Sequence, residues 1–213
     1  MQTLVNSVPL ILQGLLVTLQ VSGAVLLFGT VIGVIGGLCL LYGARPLRWV
    51  ARIYVDTLRG IPLLVLIFAL FYGLPLVGLR VSAIAAGVIA LSIFCGAHVS
   101  ELIRGGVKSI PQGQTDAANA LGLSFAQRLR HVIFPQALRR ILPPWVNTAA
   151  EMVKASSLVS LVSVVDLLLA IQQIAGRTRE TLLLYTVAAL LYFAINYTIS
   201  RFGRRLEKQF TYT

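Results

Sequence analysis

Residues 8–42 form an unbroken block without a single charged side chain. A helix of about 20 apolar residues crosses the roughly 30 Å hydrocarbon core of a bilayer, so this block is long enough to span it. The 213-residue chain is 57% hydrophobic and only 12% charged, whereas a soluble domain carries about 25% charged residues. Because a backbone in lipid must satisfy its own hydrogen bonds, as a helix does, the block predicts an all-α integral membrane protein.

Four further apolar blocks follow the first. They lie at about residues 58–77, 81–103, 142–165 and 182–199. Each is close to the length that a transmembrane helix needs. The pattern predicts five crossings of the bilayer within a single domain that covers residues 1–213.

The basic residues predict the orientation of these crossings. Most of them lie in the first connection, the third connection and the tail: Arg45, Arg48, Arg52, Arg59; Arg104, Lys108, Arg128, Arg130, Arg139, Arg140; and Arg201, Arg204, Arg205, Lys208. Cytoplasmic loops carry an excess of Lys and Arg, so the N-terminus is expected outside and the C-terminus in the cytoplasm. The net charge of +11 is thereby explained by topology, and no nucleic-acid partner is predicted.

The chain shows no pattern typical of an enzyme or a metal site. Cys39 and Cys95 both fall inside apolar blocks, and His98 and His131 are far apart in the sequence, so neither pair has the spacing of metal ligands. No nucleophile–base pair and no G-x-x-x-x-G-K-[ST] phosphate-binding loop occurs. The sequence predicts neither catalysis nor a cofactor bound by this chain.

The third connection, at about residues 104–141, is too long for a simple link. Residues 114–121 have a helical composition, with Thr115 or Asp116 suited to cap or charge the start. Ser124 is expected to cap a second helix over 125–134, which Pro135 should interrupt. Gly122 lies between them, and the pattern predicts a helix–turn–helix that is hinged there.

The segment from Asp116 to Pro135 reads DAANALGLSFAQRLRHVIFP. It resembles the cytoplasmic signature of ABC-importer permeases: E-A-A, three residues, Gly, nine residues, then I-x-L-P. The spacing matches, with Asp116, Val132 and Phe134 as conservative departures. Residues 104–114, RGGVKSIPQGQ, resemble the segment that precedes this signature in polar amino-acid permeases.

Two more segments resemble the same group, so the resemblance covers nearly the whole chain. The Arg59-Gly60-Ile61-Pro62-Leu63-Leu64 run is similar to its second-helix motif. Residues 154–158, KASSL, are similar to its K-D-T-S-L motif, with Ala155 where an acid is common. The chain is therefore identified as resembling the type I importers of polar amino acids such as histidine, glutamate, glutamine, arginine and opines.

The resemblance implies a set of partners. A cytoplasmic ABC ATPase dimer would bind ATP and Mg, a second permease subunit (identical or homologous) would pair with this one, and a periplasmic amino-acid-binding protein would deliver substrate. The resemblance also implies that the protein is located in the bacterial inner membrane. The short cytoplasmic helix would dock into the ATPase through Asp116, Ala117, Ala118, Ala120, Leu121 and Gly122. An ordinary amphipathic helix at the membrane surface is the plainer interpretation.

Ionisable residues inside the membrane are costly and indicate function by default. Glu151 and Lys154 are three residues apart, hence on one helix face, and are expected near the midplane. With the Ser156 and Ser157 hydroxyls, they would suit a zwitterionic amino acid. Alternatively, Glu151 and Lys154 only neutralise each other.

Four other positions have both a functional and a plainer interpretation. Arg104 would bind a substrate carboxylate or, with Glu101, anchor the third span at the interface. His98 would be a hydrogen-bonded bundle residue or a proton relay. Asp166 would cap a short helix or touch substrate.

The segment that contains Arg59, Gly60 and Pro62 is a candidate gate, because breaks in spans expose backbone groups that can line a site. A plain helix start at Pro62 is the alternative. For the chain as a whole, a channel or ion-driven carrier and a membrane enzyme are the other function classes. The particular amino acid stays open at this level.

Overall fold

The computed structural model describes the backbone of residues 2–211 and the side chains of residues 7–206 and 208. Helices account for most of this backbone. In chain order they are α1 (Gln2–Tyr42), α2 (Arg45–Gly60), α3 (Leu63–Leu76), α4 (Ala83–Lys108), α5 (Gln112–Ala120), α6 (Phe125–Arg128), a π-helical segment (Leu129–Ile133), α7 (Phe134–Ala155), a 3-10 segment (Ser156–Val162), α8 (Leu167–Thr178) and α9 (Thr181–Thr211).

Three of the described helices are individually long and apolar enough to cross a membrane: Ser7–Tyr42 in α1, Ala83–Lys108 and Thr181–Leu206 in α9. Two bent helix pairs bring the total to five if each pair is counted as one span. This agrees with the five crossings that the apolar blocks predict. The orientation of the termini stays a prediction.

α1 and α4 pack against each other through glycines on α1. A Cβ atom added to Gly33 would lie 2.4 Å from the Cβ of Val99, which is closer than two carbon atoms can approach without strain. Small residues allow this close packing of helices in lipid. The contacting pairs recur at four-residue intervals on both helices: Gly29 with Cys95, Gly33 with Val99, and Gly37 with Ile103.

The core of the bundle lies between α1, α3, α4 and the 3-10 segment. Val25, Ile67 and Leu91 are completely buried there. A second cluster lies between the N-terminal half of α1, α8 and α9, with Leu167 and Ile171 completely buried.

The second predicted span is broken, so its predicted extent of residues 58–77 is wrong at the start. α2 continues to Gly60, and α3 leaves it at an angle of 106°. Ile61 has an extended backbone (φ −91°, ψ 133°), and its N–H ends α2 by donating to the Thr57 carbonyl at 3.1 Å. Proline disfavours the helical conformation of the residue before it, so Pro62 accounts for the break.

The fourth span also differs in its bounds from the apolar block at about residues 142–165 that predicts it. The α-helix starts earlier, becomes a 3-10 helix at Ser156, and ends at Ser163, which adopts a left-handed conformation (φ 65°). Asp166 then starts α8: its Oδ1 accepts from the Leu169 N–H at 2.9 Å. The prediction that Asp166 caps a short helix is confirmed.

α5 begins earlier than predicted, at Gln112. Pro111 occupies the N-cap position, so the prediction that Thr115 or Asp116 caps the helix is wrong. Asp116 lies inside the helix, where its Oδ1 accepts from Gln112 Nε2 at 3.1 Å. Proline is favoured at the start of a helix because its missing N–H costs no intrahelical bond there. This local preference outweighs the capping preference of Thr115 and Asp116.

The turn after α5 has the predicted form. Gly122 has φ 71°, a left-handed conformation that glycine adopts without steric cost. Ser124 caps α6: its Oγ accepts from the Gln127 N–H at 3.4 Å, and its own N–H donates to Gln127 Oε1 at 2.9 Å. Both predictions, the hinge and the cap, are confirmed.

Pro135 does not interrupt the helix that follows, contrary to the prediction. The chain runs from α6 through the π-helical segment into α7, and Pro135 lies in the first turn of α7. A wider π turn is a known way for a helix to accommodate a disturbed hydrogen-bond ladder. The connection therefore joins the bundle as one continuous helical element.

Candidate functional site

The turn between α5 and α6 presents a small exposed surface. Asp116, Ala117 and Ala120 are exposed, and Leu121 is 79% exposed. We call Asp116, Ala117, Ala120, Leu121 and Gly122 the coupling surface. Ala118 differs from the other predicted docking residues, because it is 2% exposed and packs inward.

Polar contacts join the coupling surface to the bundle. Gln136 Nε2 in α7 donates to Gln114 Oε1 in α5 at 3.0 Å. Within the turn itself, Arg128 donates to Asn119 Oδ1. These contacts connect α5 to α6 and to α7.

A charged network lies at the end of α4. Glu101 accepts hydrogen bonds from Arg104 and lies 3.6 Å from Arg52 NH1 in α2. Arg52 also lies 3.6 Å from Asp56. The structure thus gives Arg104 a carboxylate partner of its own, three residues earlier in the helix.

His98 lies near two other candidate site residues, Arg59 and Glu151. Its ring is 4.6 Å from the Phe94 ring, centroid to centroid, and its Nε2 is buried without a hydrogen-bond partner among the described residues. Arg59 and Glu151 are both close enough to act on it electrostatically. The gate candidate in α2, the imidazole in α4 and the acid in α7 therefore face a common region.

Glu151 and Lys154 do not pair with each other. Both side chains are exposed, and the ion pairs of the described side chains all involve Arg52 or Arg104. The described side chains thus include no ion pair between these two charges, and the interpretation in which they neutralise each other stays a hypothesis. Three residues along a helix place two side chains on one face but leave their directions free.

Lys154 lines a cavity of about 320 Å³ between α7, α8 and α9. Ser157, Tyr185 and Tyr192 also line it. Ser156 points elsewhere: it is 1% exposed, accepts from Ser22 Oγ at 3.1 Å and donates to the Val153 carbonyl. Of the two predicted serines, only Ser157 lies beside Lys154.

The model of the family described as "Binding-protein-dependent transport system inner membrane component" matches residues 29–212. The chain belongs to this family. It is thus a membrane component of a binding-protein-dependent transport system, with the multi-pass helical character that the fold displays.

Curated relatives of this permease carry amino-acid names. The probable amino-acid ABC transporter permease protein YckA of Bacillus subtilis is 36% identical over 208 residues, which cover 98% of this chain and 92% of YckA. The probable glutamine ABC transporter permease protein GlnP of the same organism is 39% identical over 199 residues, covering 92% and 91%.

Solved structures agree with the fold of the permease. A crystal structure of an amino acid ABC transporter with histidines superimposes with a TM-score of 0.92 at 33% identity, covering 98% of this chain and 97% of that one. The inward-facing MetNI methionine ABC transporter superimposes with a TM-score of 0.80 at 22% identity, covering 95% and 96%, and shows the shared fold.

Sequence reasoning missed several residues of the permease that the structure brings to these sites. Arg52 and Asp56 join Glu101, and Gln114 and Gln136 join α5 to α7. From the sequence, Arg52 contributes only to the prediction of membrane topology. No local signal identifies it as a partner of Glu101, because the two residues are far apart in the sequence.

Proposed function

We propose that this chain moves a polar amino acid into a bacterial cell as the permease subunit of an ATP-driven importer. Family membership and the amino-acid names of the relatives support this proposal. The observation that carries the mechanism is the coupling surface, which projects from the bundle with Leu121 uncovered.

The partners follow from the family. A cytoplasmic ATPase dimer binds ATP with Mg and hydrolyses it, while a second permease subunit completes the pathway. A periplasmic binding protein delivers the amino acid. The inner membrane is the location that the whole assembly requires, and this chain itself is not an enzyme.

The ATPase acts on the coupling surface. Small alanines leave room for a partner groove around α5, and the exposed side chain of Leu121 gives that groove an apolar anchor. Asp116 adds a negative charge for a basic or amide group of the partner. Ala118 supports the surface from inside, since its burial holds α5 against its own chain.

Movement then passes along α7. Gln136 lies in the first turn of this helix and contacts α5, while Glu151 and Lys154 lie near its other end. A helix transmits displacement along its axis because its backbone hydrogen bonds keep it rigid. The ATPase shifts the inward-open and outward-open populations only through its different affinity for the two states.

The substrate site is built from unpaired charges. A zwitterionic amino acid brings one carboxylate and one ammonium group, and burying each requires an opposite charge. Lys154 suits the carboxylate and Glu151 the ammonium, and neither forms an ion pair among the described side chains. Ser157 adds a hydroxyl beside Lys154, and His98 offers an unpartnered ring nitrogen.

Arg104 and Glu101 have a different role in this conformation. Their mutual hydrogen bonds occupy the guanidinium that would otherwise meet a substrate carboxylate. Through Arg52, the same carboxylate ties α2 to α4. The break at Gly60 and Pro62 follows Arg52 and Arg59 at the end of α2, so it serves as a gate whose position in this conformation the network stabilises.

Reconstitution tests the proposal. The chain is purified together with its partner ATPase and a second permease subunit, inserted into liposomes, and assayed for uptake of a panel of amino acids with the binding protein present. We expect uptake that requires ATP and the ATPase. Uptake by this chain alone, driven by an ion gradient, would establish the ion-driven carrier instead.

A matched pair of substitutions tests the coupling surface. Ala120→Glu places a charge on it, whereas Ala126→Glu places the same charge on an exposed position of α6 outside it. We expect Ala120→Glu to lose uptake and Ala126→Glu to retain it. Equal effects of the two substitutions would argue against docking at α5.

A further inference from the structure

An apolar groove runs along the bundle between α1, α4 and α7, with a volume of about 460 Å³. On α1 its lining residues recur every fourth position, which puts them on one helix face. Val34 is 40% exposed and Leu38 is 42% exposed, so the groove opens sideways. We call it the α1–α7 groove and define it by Thr30, Val34, Leu38, Tyr42, Ala137 and Trp145.

The length of the α1–α7 groove matches one leaflet of a membrane. Thr30 and Tyr42 are twelve residues apart, which corresponds to roughly 18 Å at 1.5 Å per helical residue. One leaflet contributes about half of the roughly 30 Å hydrocarbon core. At the Thr30 end, Trp145 Nε1 donates to Thr30 Oγ1 at 3.1 Å, so the polar atoms at this end satisfy each other.

The Tyr42 end is polar and positively charged. The Tyr42 ring meets the Phe125 ring edge-on at 5.3 Å, and the Arg128 guanidinium lies 5.5 Å from the centre of the same Phe125 ring. Arg128 is also close enough to Tyr42 to act on it electrostatically. Its Nε is buried without a hydrogen-bond partner within the part of the chain that the structure describes.

A guanidinium group presents several N–H donors in a planar arrangement that matches a phosphate. Arg128 uses one nitrogen for Asn119, and its Nε is enclosed by protein. A cation at one end of the groove, with hydrocarbon along the rest, is complementary to a molecule with one anionic head and one apolar tail.

We propose that the α1–α7 groove binds an anionic phospholipid, with one acyl chain along the groove and the phosphate at Arg128 and Tyr42. The orientation rests on the proposed function, which puts the Tyr42 end at the cytoplasmic surface, where anionic lipids attract basic residues. A second copy of this chain has a net charge of +11 and therefore matches a cation at the Tyr42 end less well than an anionic headgroup does. The length of a single leaflet favours a lipid tail over a transmembrane helix, which would extend beyond it.

Lipid bound in this position would support the coupling surface. Phe125 and Arg128 belong to α6, which directly follows the Gly122 turn, whereas Tyr42 ends α1. The phosphate would hold α6 against α1 and would therefore limit how far the coupling surface moves relative to the bundle.

Trp145 provides a direct probe because it lines the groove. The chain contains two tryptophans, so Trp49→Phe leaves Trp145 as the only one. The full chain is reconstituted into vesicles of phosphatidylcholine that contain acyl-brominated phosphatidylglycerol or, in parallel, acyl-brominated phosphatidylcholine. We expect the brominated anionic lipid to quench Trp145 fluorescence more strongly at equal mole fraction.

Matched variants distinguish binding of the lipid headgroup from binding of its acyl chain. Arg128→Gln should reduce the preference for the anionic lipid about fivefold, the change expected for one cation near an anionic surface, whereas Arg130→Gln should not. Tyr42→Phe, which removes one hydroxyl, should weaken the preference in the same direction. Val34→Phe, which fills the groove, should reduce quenching by both lipids, whereas Leu27→Phe, at an exposed α1 position outside the groove, should not.

Two results would overturn the proposal. Equal quenching by both lipids, unchanged in Arg128→Gln and Tyr42→Phe, would mean ordinary contact with the surrounding bilayer. Absence of quenching by either lipid would mean that protein, such as a second copy, covers the groove. The quenching measurement needs neither ATPase nor amino acid, so a negative result would leave the import proposal intact. Conversely, if import failed while selective quenching by the anionic lipid was retained, only the import proposal would be contradicted.

Discussion

Arg140 in α7 donates to the backbone carbonyl of Ser109 and, at 3.0 Å, to its side-chain oxygen. Ser109 ends α4 and precedes α5. One side chain therefore joins two transmembrane helices at the point where the chain leaves them for the coupling surface. A second contact, between Gln114 and Gln136, joins α5 itself to α7.

Arg140→Ala should separate ATP hydrolysis from transport. Without the bond to Ser109, α5 moves more freely relative to α7, so we expect uptake per ATP hydrolysed to fall several-fold. The stability cost should stay at about 1–2 kcal/mol, because both hydrogen bonds to Ser109 are exposed. Uptake and ATPase activity are measured in the same proteoliposomes. Arg139→Ala, at the exposed neighbouring position, should behave as wild type; a similar loss there would point to charge rather than to the Ser109 contact.

Gly122→Asp should abolish coupling while leaving membrane insertion intact. Asp and Asn both tolerate a left-handed backbone better than other residues, and no described atom beyond the neighbouring residues lies within 4 Å of a Cβ added there. Gly122→Asn is thus the matched control, since it has the same shape without the charge. We expect Asn to retain most of the uptake and Asp to lose it. Uptake at wild-type level in Gly122→Asp would refute docking at this turn.

Glu151→Gln and Lys154→Gln should each weaken substrate-dependent uptake about tenfold or more, because each leaves a buried charge of the substrate unpaired. The loss should appear as weaker apparent affinity for the amino acid, with ATPase activity in the absence of substrate unchanged. Ser156→Ala is the control, since Ser156 contacts Ser22 rather than the cavity. If both charge variants keep wild-type uptake, these two residues have no role in substrate binding.

Gly33→Ala should disrupt the packing of α1 on α4. The added Cβ would lie 2.4 Å from Val99 Cβ, so the helices must separate, at a cost of about 1–3 kcal/mol typical of overpacked cores. The midpoint of thermal unfolding in detergent measures the loss. Gly23→Ala lies on the same helix with no described atom outside that helix within 4 Å of its Cβ, and it should be neutral. Equal destabilisation by both substitutions would mean that loss of glycine itself, rather than the contact with α4, is responsible.

Features decided by near neighbours in the chain were readable from the sequence. The cap at Ser124 needs only Gln127, the cap at Asp166 needs only the next turn, and the Gly122 turn depends on the backbone freedom of one residue. The apolar blocks likewise predict spans, because the thickness of the bilayer sets the length of an apolar helix that can cross it, and that length can be counted in the sequence. The motif around Asp116 identified the family for the same reason: its signal lies within one short segment.

Only the tertiary structure decided the features that depend on distant partners. Pro62 predicts a break, but the path of α2 depends on contacts such as the Tyr54 hydroxyl with the Ile93 carbonyl at 2.6 Å. Helical spacing put Glu151 and Lys154 on one face without saying where each side chain points. Arg52 finds Glu101 because α2 packs on α4. Such pairings form only when the helices pack together. Their free energy depends on two residues that are far apart in the sequence, so neither local segment predicts them.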